Sequence, residues 1–290
     1  MGSLGRRPLL AWLLTNVLLL AACGSAPPRT SPLIQEAERL RNDGGRAFAQ
    51  RDYESAARNF LAAAQRHASL DDSPGTALDR LNLARTYFAA RNIAAAQAQL
   101  DTVLAQASEL PGTLRAEAAR QKAVLALAAN RSEEAQRWQR QAAESCGKDC
   151  PLAASLALIR AQIALRLGDE VNAGTEVALA QKLLAAANPA TAEHANAARL
   201  AGEIAMARKD WNEARKQLQL ALTTDRDLGA PERVRLDLRL LAAAAEASAD
   251  LPAARGSYQR LLQAAEAGGD AEAATLARTA LQRLDNSQTR

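Results

Sequence analysis

The sequence predicts an all-α chain organised as an α-solenoid of about six helical hairpins plus a C-terminal capping helix. Three observations carry this expectation. Alanine is about a quarter of the 290 residues, and with Leu, Arg, Gln and Glu it gives the chain a strong helix propensity. Aromatic residues are only 3% and β-branched ones are scarce, which disfavours sheet. A short motif also recurs at an interval that holds one helix–turn–helix unit, roughly 40 residues. The charge balance is nearly even, 36 Lys+Arg against 32 Asp+Glu for a net +4. That excludes the strongly basic surface of a nucleic-acid binder.

Residues 1–22 read as an export signal. Arg6 and Arg7 precede a Leu-rich stretch from Leu9 to Leu20, well short of the roughly 20 residues a membrane-spanning helix needs. The stretch ends in Leu20-Ala21-Ala22-Cys23. This resembles the bacterial lipobox, which implies that Cys23 is acylated and becomes the mature N-terminus. Two or more acyl chains anchor stably, at about 0.8 kcal/mol per buried CH₂. Gly24 follows the Cys, where Asp marks inner-membrane retention in enteric bacteria, so the resemblance implies the outer membrane and its periplasmic face. Residues 23–32, with Pro27, Pro28 and Pro32, are expected to form a lipidated tether.

The repeat is expected over residues 33–270. Its copies are Gln50-Arg-Asp-Tyr-Glu-Ser-Ala56, Ala90-Arg-Asn-Ile-Ala-Ala-Ala96, Gly168-Asp-Glu-Val-Asn-Ala173, Arg208-Lys-Asp-Trp-Asn-Glu-Ala214 and Ser248-Ala-Asp-Leu-Pro-Ala-Ala254, with a weaker one at Asn130-Arg-Ser-Glu-Glu-Ala135. Twelve residues before each aligned alanine stands a small residue: Gly44, Ala84, Ala123, Ala161, Gly202 or Ala242. Four residues after it stands Phe60, Leu100, Gln139, Val177, Leu218 or Tyr258. This pattern resembles the tetratricopeptide repeat, and the resemblance implies a right-handed stack of helix pairs. The period is longer than that family's usual one of about 34 residues. The usual Trp early in the first helix is also missing. Asp52, Asn92, Asp169, Asp210 and Asp250 stand at the turns, where their side chains can accept the free N–H groups of the next helix. Breakers between copies include Pro111-Gly112, Cys150-Pro151, Asn188-Pro189 and Gly229-Ala230-Pro231. Residues 271–290 read as the capping helix and tail, with an apolar pattern of Ala274, Leu276, Ala277, Ala280, Leu281 and Leu284 and one wet face.

Few residues carry chemistry. Cys146 and Cys150 are expected to pair as a structural disulfide outside the cytoplasm, contributing about 2 kcal/mol, with two free thiols as the alternative. His67 and His194 have no ligand partners at motif spacing and read as solvated residues near helix ends. No phosphate loop, GxSxG or HExxH occurs, so neither catalytic residues, a metal nor a cofactor is expected.

The tetratricopeptide resemblance implies a concave face that takes up peptides or partner helices. Mapping the repeat places Arg41, Arg120, Arg199 and Arg239 at one inward position, with Phe48, Leu81, Phe88, Leu158, Leu165 and Met206 on the same face. Such a groove would suit an acidic or C-terminal segment; a solvated polar face is the alternative. The Lys/Asn clamp of chaperone-tail readers is absent, since four residues after each Arg come Gly45, Val124, Glu203 and Ala243. The expected role is a non-enzymatic lipoprotein scaffold binding envelope proteins in assembly or secretion of a surface structure. The alternative is an activator of, or enzyme in, peptidoglycan metabolism.

Overall fold

The computed structural model describes residues 31–185 and 190–288. The expected export signal, the lipidation site Cys23, most of the tether and the Asn188-Pro189 break lie outside the described residues. Among the described residues there are thirteen α-helices, one short 3₁₀ turn and no strand. In chain order they are α1 (Pro32–Ala49), α2 (Tyr53–Ala68), α3 (Ser73–Ala89), α4 (Ile93–Ala105), α5 (Gly112–Ala128), α6 (Ser132–Cys146) and α7 (Ala153–Arg166). There follow α8 (Glu170–Leu184), α9 (Ala192–Ala207), α10 (Trp211–Asp227), α11 (Pro231–Ala247), α12 (Leu251–Ala267) and α13 (Ala271–Gln288). They form six hairpins, α1–α2 through α11–α12, and α13 packs on α12 as a cap. Consecutive hairpins stack in a row, and the first helices also touch across the stack: α3 meets α5, α5 meets α7, α7 meets α9 and α9 meets α11. The fold is an α-helical repeat solenoid.

The marker alanines occupy equivalent places. Ala56, Ala96, Ala135, Ala173, Ala214 and Ala254 are each the fourth residue of the hairpin's second helix, and none is more than 1% exposed. The residue four further on lies over the small residue of the partner helix. A Cβ added at Gly44 would stand 3.0 Å from the Phe60 ring, and one at Gly202 would stand 2.7 Å from Leu218 Cγ. Large side chains therefore sit where the opposite helix has given up its own, which lets the axes approach closely. The core is accordingly a chain of local clusters. One holds Ala47, Ala56, Phe60 and Leu83; the next runs from Ala77 to Leu125; the last joins Leu218, Leu238 and Leu261 to Ala277 and Leu284 of the cap. Each cluster reaches only into neighbouring repeats, as a quasi-one-dimensional fold requires.

The turns inside the hairpins share one construction. Asp52, Asn92, Asp169, Asp210 and Asp250 each accept the N–H of the residue three ahead, at 3.0–3.2 Å. The residue before each cap has positive φ: Arg51, Arg91, Gly168, Lys209 and Ala249. The cap's own N–H reaches back five residues, as in Asp52 N to the Ala47 carbonyl at 3.0 Å, which closes the preceding helix with a left-handed C-terminal residue. The weak third copy keeps the backbone turn, with Asn130 at φ 58°, but Arg131 stands at the cap and makes no side-chain capping bond.

Cys146 and Cys150 are joined by a disulfide. It does not staple one turn of a helix, since Cys146 ends α6 and Gly147 turns away at φ 74°. The bridge ties the loop into α7 back onto the end of α6.

Candidate functional site: the inner face

The first helices of the hairpins (α1, α3, α5, α7, α9 and α11) line the inside of the curve. Curvature brings the two ends of the stack together. Arg51, in the first turn, bonds Glu232 at the start of α11, and Arg91, in the second, lies 3.7 Å from Glu272 of α13. Between these ends is a cavity of about 270 Å³ lined by Arg91, Arg235, Leu236, Arg239 and Leu276 among others. Two more cavities lie on the inner face. One of about 200 Å³ is lined by Arg85 and Phe88 of α3, Arg120 and Val124 of α5, and Arg233 of α11. The other, of about 220 Å³, shares Arg120, Val124 and Arg233 and adds Leu158, Gln162, Glu193, Glu203 and Leu236.

The structure divides the ten groove residues expected from the repeat, of which Leu165 is partly buried against its local cluster. Arg199 does not line an open groove as a free cation. It is 5% exposed and bonds Asp237 at 2.6 Å, Asn196 at 2.7 Å and also Asp225. Arg41 is held the same way, by Asp79 at 3.1 Å and by His67 at 3.0 Å. The two clusters are the same device in the first and fifth hairpins. In both, the partners of the Arg follow it at sequence separations of 26 and 38: His67 and Asp79 in one, Asp225 and Asp237 in the other. These guanidiniums bolt one hairpin to the next. Leu81 is core, 2% exposed. Phe48 and Met206 are partly buried against their local clusters. Leu158, Phe88, Arg120 and Arg239 do line cavities.

Of the two histidines expected in solvent from the sequence, His67 is instead buried and His194 is half-buried. His67 is 4% exposed, with Nδ1 2.6 Å from Asp72. His194 sits in the first turn of α9, where its Nδ1 accepts the Thr191 N–H at 3.0 Å and its Nε2 lies 3.1 Å from the Leu184 carbonyl oxygen.

Two inward residues, Arg85 and Arg233, lie outside the set that the repeat marks. Arg85 is within reach of the pattern. It stands four residues after Leu81, at the clamp position of a copy that does not begin with Arg. Arg233 has no counterpart in the repeat; only the curvature places the first turn of α11 opposite α3 and α5.

The charged groups of the inner face are crowded but not sealed from solvent. Arg85 and Arg233 are exposed, and desolvation by the atoms around them lowers their guanidiniums from the usual range. Glu117 grips Arg120 with two bonds of 2.7 Å. Glu203 is raised by desolvation, against the pull of Arg199, Arg166 and Arg239. Asp237 is pushed up to about 6, chiefly by desolvation and despite Arg199, with Asp225 adding repulsion. No group of three or more His, Cys, Asp or Glu among the described residues is arranged to hold a metal ion.

No protein-family model matches the chain, and no curated protein is significantly similar to it in sequence. Solved structures are similar in fold. The chain superposes on the apo form of RapI with a TM-score of 0.61, at 10% identity, over 87% of this chain and 72% of that one. It superposes on BtubC from P. vanneervenii with a TM-score of 0.56, at 16% identity, over 83% of this chain and 93% of that one. The third is a signal-transduction ATPase of the STAND class, with a tetratricopeptide repeat sensor, from Pyrococcus horikoshii. Its TM-score is 0.64 at 16% identity, over 81% of this chain but only 37% of that one. Together with the repeat geometry, these likenesses define a tetratricopeptide-like helical-repeat protein. At such identities the likeness is one of fold.

Proposed function

We propose that this chain is a non-enzymatic adaptor whose inner face docks segments of other proteins. In this reading it is held by lipid on Cys23 at the periplasmic face of the outer membrane and serves assembly or secretion of an envelope structure. The observation that carries the docking part is the inner face itself. Arg85, Phe88, Val124, Gln162, Arg233 and Leu236 line cavities that no neighbouring helix fills, with Phe88 and Val124 also resting against the local cores. A surface built this way, apolar patches among a few convergent polar groups, is the usual form of a binding site. No described helix is long and apolar enough to cross a membrane, so in this reading the acyl chains on Cys23 provide the attachment.

Two measurements test the proposal. Palmitate labelling of the wild type, lost in Cys23→Ser, is expected; an unlabelled wild type contradicts the anchor. A photo-crosslinking residue at Gln162 on the inner face should capture a defined set of envelope proteins. The same residue at Leu220, which is 54% exposed on α10, should not. Identical adducts from both positions contradict inner-face docking.

A further inference from the structure

Four residues after each marker alanine the repeat sets a large side chain against the partner helix. Phe60, Leu100, Val177, Leu218 and Tyr258 are all buried there. The third hairpin has Gln139 instead, and it is buried too, at 4% exposed. Its carboxamide makes no hydrogen bond with another described residue. It lines a cavity of about 350 Å³, on a different side of α7 from the inner-face cavities. Gln136 and Gln139 of α6 form one wall of this outer furrow and Ile163 and Ala164 of α7 the other. Leu167 and Asn172 stand at its mouth, around the turn into α8. Buried amides normally have their hydrogen-bonding groups satisfied. Here the packing of the chain leaves them open, and this break in the repeat's own pattern falls on a cavity, as is characteristic of a functional site.

The next furrow along, between α8, α9 and the start of α10, is made of corresponding residues and shows what an ordinary copy does. Val177 stands where Gln139 does, Ile204 where Ile163 does and Asp210 where Asp169 does, and the cavity is smaller, about 230 Å³. Arg208 takes the place of Leu167 and reaches back across the furrow, donating to the Glu170 carbonyl at 2.6 Å. A Cβ added at Gly174 would stand 3.1 Å from that guanidinium. The furrow at Gln139 has no such latch. Leu167 is 65% exposed and Val171, one helical turn further on, is 76% exposed, the most exposed large apolar side chains among the described residues.

The lining says what fits. Arg160 is bonded to Glu176 at 2.8 Å, and the other charges are one of each sign, Arg140 and Asp169, so no net charge calls for an ion. No aromatic ring lines the cavity to stack on a nucleobase. The open group is a carboxamide, which both donates and accepts, and its full complement is another carboxamide. Because Gln139 lies at the floor, a side chain reaches it where a main chain lying across the mouth would not. From the buried, unbonded Gln139 beneath an apolar mouth, we propose that this outer furrow binds a segment of a partner protein through a Gln or Asn side chain paired with Gln139. Apolar residues beside that side chain rest on Leu167 and Val171. The site is separate from the inner face, so its failure leaves inner-face docking as it stands.

The test uses the full chain and three pools of fluorescent nonapeptides capped at both ends. All share apolar residues on either side of a fixed centre, which is Gln, Glu or Leu, and are randomised elsewhere. The Gln pool should bind at least about tenfold more tightly than the other two, which leave the buried amide unpaired or bury a charge. The preference should vanish in Gln139→Leu, which restores the residue the repeat has at Leu100 and Leu218. Binding of the Gln pool should also weaken in Leu167→Ser, a change in an exposed residue, and stay unchanged in Leu220→Ser on α10. Unchanged circular dichroism shows that each variant keeps the fold. Equal binding of the three pools, a Gln preference that survives Gln139→Leu, or equal losses in Leu167→Ser and Leu220→Ser overturn the proposal. Binding of no pool, with a higher urea midpoint for Gln139→Leu or without one, overturns it too and leaves Gln139 a hydrated core residue.

Discussion

At the scale of single residues, the protein's turns depend on backbone conformations that its side chains resist. Of the six residues that end the hairpins' first helices in the left-handed region, Gly168 is the sole glycine; the others are Arg51, Arg91, Asn130, Lys209 and Ala249. A left-handed L-residue costs roughly 1–2 kcal/mol, and the cost is least for Asn among the five. Ala249→Gly should therefore raise stability by up to about 1 kcal/mol, measured as a higher urea midpoint at unchanged slope. The Asx caps were legible because the acceptor chemistry is written in the side chain. The strained residue before each cap was not, because nothing in an Arg or Ala announces a positive φ. Buried charge is a second residue-scale matter. Asp237, fully buried, has its carboxyl pushed up to about 6 by desolvation. The folded state then holds this proton more tightly than the unfolded chain, so the group's contribution to stability falls as pH rises from about 4 to about 6. Asp237→Asn should flatten that part of the pH–stability curve relative to wild type. Identical slopes in the two proteins would contradict the assignment.

At the scale of helices, the pairing of a small residue with a large one twelve-plus-four positions later sets how closely each hairpin closes. Gly202 is the tightest test, since a Cβ there would stand 2.7 Å from Leu218 Cγ and 3.3 Å from the Ala214 carbonyl. Gly202→Val should destabilise the fold by about 1–3 kcal/mol, read from denaturant unfolding. Gly45→Ala, where nothing lies within 4 Å of the added carbon, should not. Hairpin number, the marker alanines and the small–large pairing could all be read from the sequence, because each local core recurs with the same geometry. Reading which inward arginines tie one hairpin to the next could not be done the same way. Arg41 and Arg199 share a repeat position with Arg120 and Arg239, and only the acids of the following hairpin, Asp79 and Asp237, decide that the first two are bolts.

At the scale of the whole molecule, stability and function both depend on what the ends do. The cap α13 supplies Ala277, Ala280 and Leu284 to the last cluster, and without it Leu261 and Tyr258 would face water. Deleting residues 271–290 should weaken protection of α12 amides against hydrogen exchange by at least about 1.5 kcal/mol, the burial of Leu284 alone, while α1–α4 remain as protected as in the full chain. The inner hollow depends on curvature, which no repeat position records. It is the reason that Arg233 is invisible to the repeat pattern and that Arg51 and Glu232 meet at all. The most direct test of the account is to trap that meeting. In a Cys23→Ser background, Arg51→Cys/Glu232→Cys should be joined rapidly by a short bis-maleimide into an internally linked monomer, whereas Arg58→Cys/Glu232→Cys should not. Failure of the first pair to link, or equal linkage of both, would mean that the hairpins do not curl into an enclosing face.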